Sequence, residues 1–590
     1  MTTTVSVAAL ALLPLILSEG PAADATRLHE DVKRLAADRW KGRRAGSREA
    51  DLAATWIAER FKTLGLKPAF GASYLQSFGF IDGVTLGNRS RLVVGGKPFR
   101  SGEDFRPVSF SAAGRAEGAA VFAGYGLVAK DLGVDEYEGV DVRGKVVVVL
   151  RYSPAGDDPQ SKWGPFVALR HKAANAHKNG AAALLVVTGA ATAQAKDELV
   201  ALRSDASLVD AGLPVLSVRR RVAEALFEGC GTSLEAAQRS ADAGHDAFVE
   251  LSPRVALAAD VKPRRSATHN VVATLPGSDP EAEAVVIGAH YDHLGLGLSG
   301  SLEAKPEGKI HHGADDNASG VAALLEVARE LAQERPARTL VFAAFGAEEL
   351  GALGSSYFVK SPPLPVERIA AMVNLDMVGR LRDDTIDVHG VGTSPVWRPL
   401  VEEANRSPGL KLRWHEGGLG PSDHSSFYLA SKPVLFLFTG VHSDYHRASD
   451  TADKLNAPGL ARVVDLVTGV VAGLAASPSP VEFTRVAAEK EDQLPASRGF
   501  RVWVGGIPDY GSEAPGVRIS GVTPGSPAEK AGLRGGDTIV RFGVREIRGI
   551  YDYTAALGER KAGEVVEVVV SRDGTEVALQ VTLGERNRQE

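Results

Sequence analysis

The chain has 590 residues, 44% hydrophobic and 24% charged, which excludes a fibrous or largely disordered protein and, at roughly 150 residues per domain, predicts three or four domains. Its 67 basic and 73 acidic residues leave a formal net charge of −6 with no long basic run, so nucleic acid is not an expected partner. Cys230 is the only cysteine, which excludes an internal disulfide and a cysteine-rich metal site, and any bound metal must therefore use histidine and carboxylate ligands.

The N-terminal segment has the pattern of a secretory signal peptide. An apolar run over 5–17 is followed by small residues ending Ala22-Ala23-Asp24-Ala25, an A-x-A-like cleavage site. We predict a signal peptide over 1–25 and a secreted or periplasmic protein. No basic residue precedes the run, so a mis-assigned start or a frayed helix is the alternative. The run is too short for a standard membrane span, and no membrane span is predicted in the mature protein.

Two amphipathic helices are predicted between Thr26 and about Gly71, because apolar residues recur there at helical spacing. Ser47 is the predicted N-cap of the second helix, since Glu49 and Asp51 follow it in what would be the first turn.

Residues 115–253 have a different, strand-rich pattern. Buried strands are predicted at Lys145–Leu150, Ala183–Val187 and Pro214–Val218, with a helix at Lys172–Asn179. This stretch resembles the protease-associated (PA) domain, a non-catalytic module that several zinc exopeptidases carry as an insert. We therefore predict a β-rich PA insert here.

Strand-like and helical segments alternate between about Asn270 and Ala475, which predicts an α/β domain with a largely parallel sheet. The segments are Ala284–Ala289, Gly320–Ala332, Thr339–Phe345, Ile369–Asp376, Ile386–His389 and Val434–Phe438. In such sheets the chemistry gathers at the carboxyl ends of the strands.

His290 directly follows the first of these strands, and Asp292 lies two residues further on. A carboxylate at this position could orient the imidazole of a metal-binding histidine. A His-x-Asp pair alone is more often an ordinary surface pair, so the interpretation depends on what the other strand ends carry.

Acidic residues follow the other strands. Asp315 and Asp316 precede a predicted helix, where they could also be capping residues. Glu348 and Glu349 lie just after an apolar strand, and paired carboxylates there repel each other unless a cation or shared protons intervene. Asp376 ends a further apolar run. Together with His290 and the later His446, these residues predict a metal site.

Five motifs carry a family resemblance: GADDNASG (313–320), GAEELGALGS (346–355), NLDM (374–377), SDHSSF (422–427) and SDYHRASDT (443–451). They resemble the zinc exopeptidases related to aminopeptidase Y, bacterial leucyl aminopeptidases and glutamate carboxypeptidase II, over about 267–474. The fold implied is a mostly parallel mixed α/β sheet flanked by helices, of the zinc exopeptidase/phosphorylase-hydrolase-like class.

The resemblance implies two Zn²⁺ ions and the ligands His290, Asp316, Glu349, Asp376 and His446. Asp316 would bridge the ions. His290 and Asp376 would bind one of them, and Glu349 and His446 the other.

By the same resemblance Glu348 is the general base, Asp315 is not a ligand, and a strained peptide bond is expected between Asp316 and Asn317. A base beside a metal-bound water is also what the chemistry of hydrolysis requires.

Other residues near the motifs are possible contributors. His311 and His312 compete as metal ligands but lie in a glycine-flanked loop. Asp423 and His424 are predicted to border the substrate pocket, with a structural histidine as the alternative for His424. Some bacterial relatives brace the preceding loop with a disulfide, whereas this chain has the glycine-rich 417–421 there.

The C-terminal unit, with the pattern of residues 516–540, resembles a PDZ domain of the bacterial protease-associated type. Such domains add a peptide as an extra strand and hold its terminal carboxylate with backbone amides. The candidate loop contains Gly505, Gly506 and Ile507, although glycine pairs more commonly mark ordinary turns.

We therefore predict a two-zinc exopeptidase acting on peptides, most simply an aminopeptidase with a metal-bridging water activated by Glu348. The alternatives are a carboxypeptidase of the same family, a single-zinc glutaminyl cyclase, and a non-enzymatic peptide-binding scaffold. The predicted organisation is a signal peptide (1–25), the first part of the peptidase domain (26–114), the PA insert (115–253), the catalytic domain (254–478), a linker (479–496) and a PDZ domain (497–588).

Overall fold

The computed structural model describes residues 23–585, except 130–131, 157, 159–160, 191–195, 203–209, 245–247, 298, 304, 307, 478, 487–501, 509–514, 550–551, 554–555 and 558–559. Residues 1–22 of the predicted signal peptide and most of the predicted linker lie outside the described residues. The described residues divide into two compact units, which fall within 1–78 and 268–486 and within 79–267 and 487–590, respectively.

The α-helices in chain order are α1 (Ala25–Leu35), α2 (Arg48–Thr63), α3 (Leu169–Lys178), α4 (Arg220–Phe227), α5 (Leu234–Asp242), α6 (Gly320–Leu331), α7 (Leu353–Lys360), α8 (Trp397–Ala404), α9 (His424–Leu429), α10 (Ala457–Ala476) and α11 (Pro527–Lys530).

The strands up to residue 259 are β1 (Lys67–Pro68), β2 (Leu75–Leu86), β3 (Arg91–Val94), β4 (Lys97–Phe99), β5 (Phe105–Pro107), β6 (Gly114–Ala123), β7 (Val128–Ala129), β8 (Val134–Asp135), β9 (Val146–Leu150), β10 (Ala183–Val187), β11 (Val215–Val218) and β12 (Phe248–Ala259). Those that follow are β13 (Val261–Leu275), β14 (Ala284–His290), β15 (Leu340–Phe345), β16 (Ile369–Leu375), β17 (Thr385–His389), β18 (Lys411–His415) and β19 (Val434–Phe438). The C-terminal strands are β20 (Val502–Trp503), β21 (Gly506–Pro508), β22 (Val517–Val522), β23 (Thr538–Phe542), β24 (Arg545–Glu546), β25 (Val565–Arg572), β26 (Thr575–Thr582) and β27 (Gly584–Glu585).

A nine-stranded mixed sheet forms the centre of the first unit, in the order β1-β13-β15-β14-β16-β19-β17-β18, with β2 paired to β13. Strands β15, β14, β16 and β19 are parallel neighbours, whereas β13 runs antiparallel to β15 and β17 runs antiparallel to β19. The carboxyl ends of the four parallel strands consequently lie along one edge, where the predicted site residues follow them.

Both faces of this sheet are covered, which explains the continuous apolar runs of its central strands. In β14, Val285 and Ile287 pack into a core that also includes residues of α1, α2, α6, α8 and α10. Val286, between them, faces the opposite core with Phe358 of α7 and Phe427 of α9. The alternation of side chains along a strand thus assigns successive residues to two different helical layers.

The two predicted N-terminal helices are α1 and α2. Ser47 caps α2 by accepting a hydrogen bond from the Ala50 amide, as the sequence predicts. Asp24 caps α1 in the same manner, and the Ala23 amide donates to Asp465 in α10. The fold therefore includes the last residues of the predicted signal peptide.

Helix α10 is the one helix of the described chain that is long and apolar enough to cross a membrane by length and composition. Most of it is buried, and it packs beside α6 and α8. Its apolar residues are explained by this burial in the core.

The second unit contains an eight-stranded sheet in the order β4-β3-β12-β6-β9-β10-β11-β5. The predicted strands correspond to β9, β10 and β11 and the predicted helix to α3. The sheet extends beyond the predicted limits of 115 and 253, because β3 pairs with the last part of β12. Separately, β21, β22, β23, β25 and β26 form a C-terminal sheet with β24 paired to β23.

Candidate metal centre

The structure brings the five predicted ligands together at the carboxyl edge of the large sheet. His290 is the last residue of β14, and Asp376 directly follows β16. Glu349 follows β15 after a three-residue turn, while Asp316 lies in the turn before α6. His446 is on the long segment beyond β19, which is why no strand pattern points to it.

One group of donor atoms is centred on His290. Its Nε2 lies 3.3 Å from Asp376 Oδ1 and 3.4 Å from Asp316 Oδ1. All three residues are buried, and their donor atoms are close enough to share one metal ion.

A second group faces the other oxygen of Asp316. His446 Nε2 lies 3.3 Å from Asp316 Oδ2 and 3.2 Å from Glu349 Oε2. Asp316 therefore directs one carboxylate oxygen to each group, which is the arrangement that a carboxylate bridging two cations requires.

Backbone carbonyls fix the tautomers of the two histidines. His290 Nδ1 lies 3.2 Å from the Asp292 carbonyl, and His446 Nδ1 lies 2.9 Å from the Gly300 carbonyl. A carbonyl only accepts, so each Nδ1 carries the proton and each Nε2 lone pair is directed into the site.

Asp292 contacts the His290 imidazole mainly through its backbone carbonyl. Its carboxylate is 3.9 Å from His290 Nδ1 and instead accepts the Glu348 amide at 3.0 Å. The chain turns after β14, so the backbone carbonyl reaches the imidazole while the carboxylate faces the turn after β15. Burial, together with the negative charge of Glu349, raises the pKa of Asp292 to about 6 although His290 opposes the shift.

Glu348 lies at the edge of the first group, with its Oε2 3.9 Å from His290 Nε2. Burial raises the pKa of Glu348 well above its ordinary value, and the charges of Asp423 and Asp376 add to the increase. His290 works in the opposite direction. The position and the raised pKa fit a carboxylate that accepts a proton from a neighbouring group.

His293 is a site residue that the sequence reasoning did not assign. It is fully buried, and its Nδ1 lies 2.7 Å from Glu349 Oε1 and 3.7 Å from Asp316 Oδ2. Burial and Asp316 raise the pKa of Glu349, but His293 and His446 outweigh them and hold it at about 2. The only signal in the sequence was its place three residues after His290.

Two further buried residues hold the backbone of the site. Asp450 Oδ2 accepts the amides of Asp315 and Asp316, at 2.9 and 3.1 Å, and its Oδ1 accepts from Arg380. Arg43 donates to four backbone carbonyls, including Tyr291 O beside His290.

The competing candidates are directed away from the donor groups. Asp315 accepts the Gly379 amide and contacts His442, as expected for a residue that is not a ligand. His311 bonds to Ser301, and His312 to Asp38. The peptide bond between Asp316 and Asn317 is cis, at the position where the resemblance implies an unusual peptide.

Asp423 and His424 are both fully buried. Burial raises the pKa of Asp423 to about 7, with Asp376 adding to the shift. The His424 ring stacks on Phe436 at 4.5 Å, and burial lowers its pKa to about 3. Such packing favours the structural alternative for His424, whereas Asp423 is electrostatically linked to Glu348.

In the C-terminal sheet, Gly505 precedes β21, and Gly506 and Ile507 lie within it. Among the described residues β21 pairs only with β22 and so forms an edge of that sheet. Gly505 has a φ of +86°, and a Cβ there would lie 2.3 Å from the Ser526 Cβ. The backbone conformation therefore requires glycine at position 505. An ordinary turn would have the same requirement, so this glycine does not by itself indicate peptide binding.

Comparison with protein families gives three matches. Residues 270–471 match peptidase family M28, residues 110–226 match the PA domain, and residues 489–583 match the PDZ domain.

Among individual proteins, aminopeptidase YwaD of Bacillus subtilis is 27% identical over 384 residues, which cover 62% of this chain and 72% of that protein. A probable zinc metalloprotease of Pyrenophora teres is 39% identical over 137 residues, covering 23% of this chain and 28% of that protein. The solved aminopeptidase of Aneurinibacillus sp. strain AM-1 is 24% identical with a TM-score of 0.46, over 79% of this chain and 97% of that one.

Proposed function

We propose that the chain, whose residues 270–471 match peptidase family M28, is an exported two-zinc aminopeptidase in which Glu348 is the general base. The single observation that carries the proposal is the orientation of Asp316, whose Oδ1 and Oδ2 each lie within 3.4 Å of a histidine Nε2, those of His290 and His446.

The donor set suits zinc. Two ligand atoms at tetrahedral angles, each about 2.0–2.1 Å from a zinc ion, lie about 3.4 Å apart. The four contacts among the five proposed ligands measure 3.2–3.4 Å, at or just beyond the long end of the N–H···O hydrogen-bond range and close to this spacing. Imidazole nitrogens with carboxylate oxygens are also a ligand set that zinc accepts.

Zinc ions bound there would polarise a substrate carbonyl and lower the pKa of water. Glu348 would accept the proton of the attacking water on its carboxylate and later give it to the leaving amine. The Asp292 carboxylate positions Glu348 by accepting a hydrogen bond from its backbone amide. In the turn after β15, the Glu348 side chain faces His290 and the Glu349 side chain faces His446. The negative charges of Asp423 and Asp376 raise the pKa of Glu348 and so strengthen it as a proton acceptor.

The choice of the amino terminus is supported by the names of relatives such as aminopeptidase YwaD. The test is a panel of matched peptides with a free amino terminus, an acetylated amino terminus or an amidated carboxyl terminus, assayed with and without chelator. We expect release of the first residue from the free and the amidated peptides only, abolished by chelator.

Each other outcome selects a different function. Cleavage of the acetylated peptide but not the amidated one would indicate a carboxypeptidase. Ammonia release from a peptide beginning with glutamine, without a free amino acid, would indicate a glutaminyl cyclase. If no peptide of the panel is cleaved, with or without chelator, the result would favour a peptide-binding scaffold.

Export and peptide binding by the PDZ domain belong to the same proposal. The leader-like pattern at 5–17 supports export, which fractionation of the producing cell tests. The edge position of β21 supports addition of a peptide strand, and binding of a free but not an amidated carboxyl terminus would test it.

A further inference from the structure

His293 differs from the other histidines of the site in its contacts. Its Nδ1 lies 2.7 Å from Glu349 Oε1, whereas His290 and His446 lie 3.2–3.4 Å from their carboxylate neighbours. The shorter distance is that of a charge-assisted N–H···O⁻ hydrogen bond. The longer ones match the spacing of two atoms that share one tetrahedral ion.

The two oxygens of Glu349 are therefore used differently. Oε2 lies by His446 Nε2, on the side of the second donor group, while Oε1 lies by His293. A carboxylate held in this manner offers a single oxygen to a cation, and its plane is fixed by the second oxygen. Histidine–carboxylate contacts just outside a metal's ligands commonly serve this purpose.

The surroundings leave the His293 ring little freedom. The ring is fully buried and meets the His446 ring edge to face at 5.9 Å. Gly313 makes room for it, since a Cβ at that position would lie 2.6 Å from two atoms of the ring. His293 Nε2 has no hydrogen-bond partner among the described residues, so its one polar contact partner besides Asp316 is Glu349.

We propose that His293 is a positioning residue of the metal centre, which donates its Nδ1 proton to Glu349 Oε1 and so holds Glu349 as a one-oxygen ligand. The inference rests on the proposed function for the presence of zinc, but it concerns zinc affinity and not the reaction. In the HYDH segment, which begins at the last residue of β14, this gives the second histidine a role distinct from that of His290.

Zinc affinity is the test. Both zinc dissociation constants are to be measured by competition with a chromophoric chelator for the wild type, His293→Phe, His293→Gln and the control His415→Phe. His415 also bonds to a carboxylate, Asp387, at 2.9 Å but outside the donor groups. His293→Phe should weaken the binding of one of the two zinc ions about 10- to 100-fold, which is the usual effect of losing a residue that holds a metal ligand in place. His293→Gln keeps an N–H donor and should lose less, and His415→Phe should bind zinc as the wild type does.

A crystal structure of the zinc-loaded wild type is the second measurement, and it decides the question if His293→Phe does not fold. The proposal expects His293 Nδ1 within hydrogen-bond distance of Glu349 Oε1 and more than about 3 Å from either ion. A His293 nitrogen about 2.0–2.1 Å from zinc would overturn it, since the residue would then be a ligand. Unchanged affinity in His293→Phe would overturn it as well. Two tightly bound zinc ions without any peptidase activity would refute the proposed function but leave this inference intact.

Discussion

Arg43 offers a quantitative test of how the N-terminal segment supports the site. Its guanidinium is fully buried and donates to the carbonyls of Leu35, Tyr291, His312 and Gly313 at 2.5–2.9 Å. Two of these carbonyls lie close in sequence to the proposed ligands His290 and Asp316. Replacing Arg43 with methionine keeps an unbranched chain and removes all four donors.

The expected loss of stability follows from two opposing contributions. Four charge-assisted hydrogen bonds at about 1.5 kcal/mol each amount to about 6 kcal/mol. Burial lowers the pKa of Arg43 from 12.5 to about 10, which corresponds to about 3 kcal/mol of unfavourable burial that the variant recovers. The Arg43→Met variant should therefore lower the free energy of unfolding by about 3 kcal/mol. The same change at the exposed Arg48 should have little effect.

Tryptophan fluorescence during denaturation is a suitable assay, because Trp40, Trp56, Trp397 and Trp414 all lie in the first unit. Zinc affinity should fall in Arg43→Met together with stability, because the backbone that carries the ligands loses its support. The reasoning is refuted if Arg43→Met and Arg48→Met unfold at the same denaturant concentration and bind zinc equally well.

Three other predictions concern electrostatics and metal. In the C-terminal sheet, burial raises the pKa of Asp537, but the Arg572 guanidinium at 2.7 Å outweighs burial and lowers the pKa below its ordinary value. The pair therefore stabilises the fold at pH values above the unfolded pKa of the carboxyl group, and this stabilisation is lost as the pH falls through the folded pKa. Asp537→Asn should cost about 2–3 kcal/mol, measured by hydrogen exchange in β22–β26, and equal protection at pH 7 would contradict this. Asp423→Asn removes a charge that raises the pKa of Glu348, so the acidic limb of kcat/KM should move to lower pH, and an unchanged limb would contradict the coupling. Removing zinc should lower the melting temperature of the first unit, because a free zinc concentration of about 1,000 times the dissociation constant adds about 4 kcal/mol to the free energy of unfolding. An unchanged melting temperature would argue against bound metal.

Much of the site could be predicted because its residues directly follow apolar strands. The runs that form β14, β15 and β16 are buried on both faces, so their lengths and ends can be read from the sequence. His290 ends the first of them, and Glu349 and Asp376 follow the other two. His446 lies on an irregular segment and was identified from the SDYHRASDT motif alone.

The residues that were missed make contacts that no local pattern reveals. Arg43 sits in a glycine-flanked loop and bonds to a carbonyl 248 positions away. In the sequence His293 is an ordinary loop residue, because its contact with Glu349, which follows β15, forms only in the folded sheet. Asp292 was expected to hold His290 through its carboxylate, but the direction of the chain after β14 decides which of its oxygens reaches the ring.

The most direct test of the central claim is a paired measurement on Glu348→Gln, with zinc per chain determined on the same sample as peptide turnover. The variant keeps the size of the side chain and all proposed ligands but cannot accept a proton. We predict two zinc ions per chain in both proteins and a fall in kcat of at least about 100-fold in the variant. Near-normal turnover by a fully zinc-loaded Glu348→Gln protein would contradict the account.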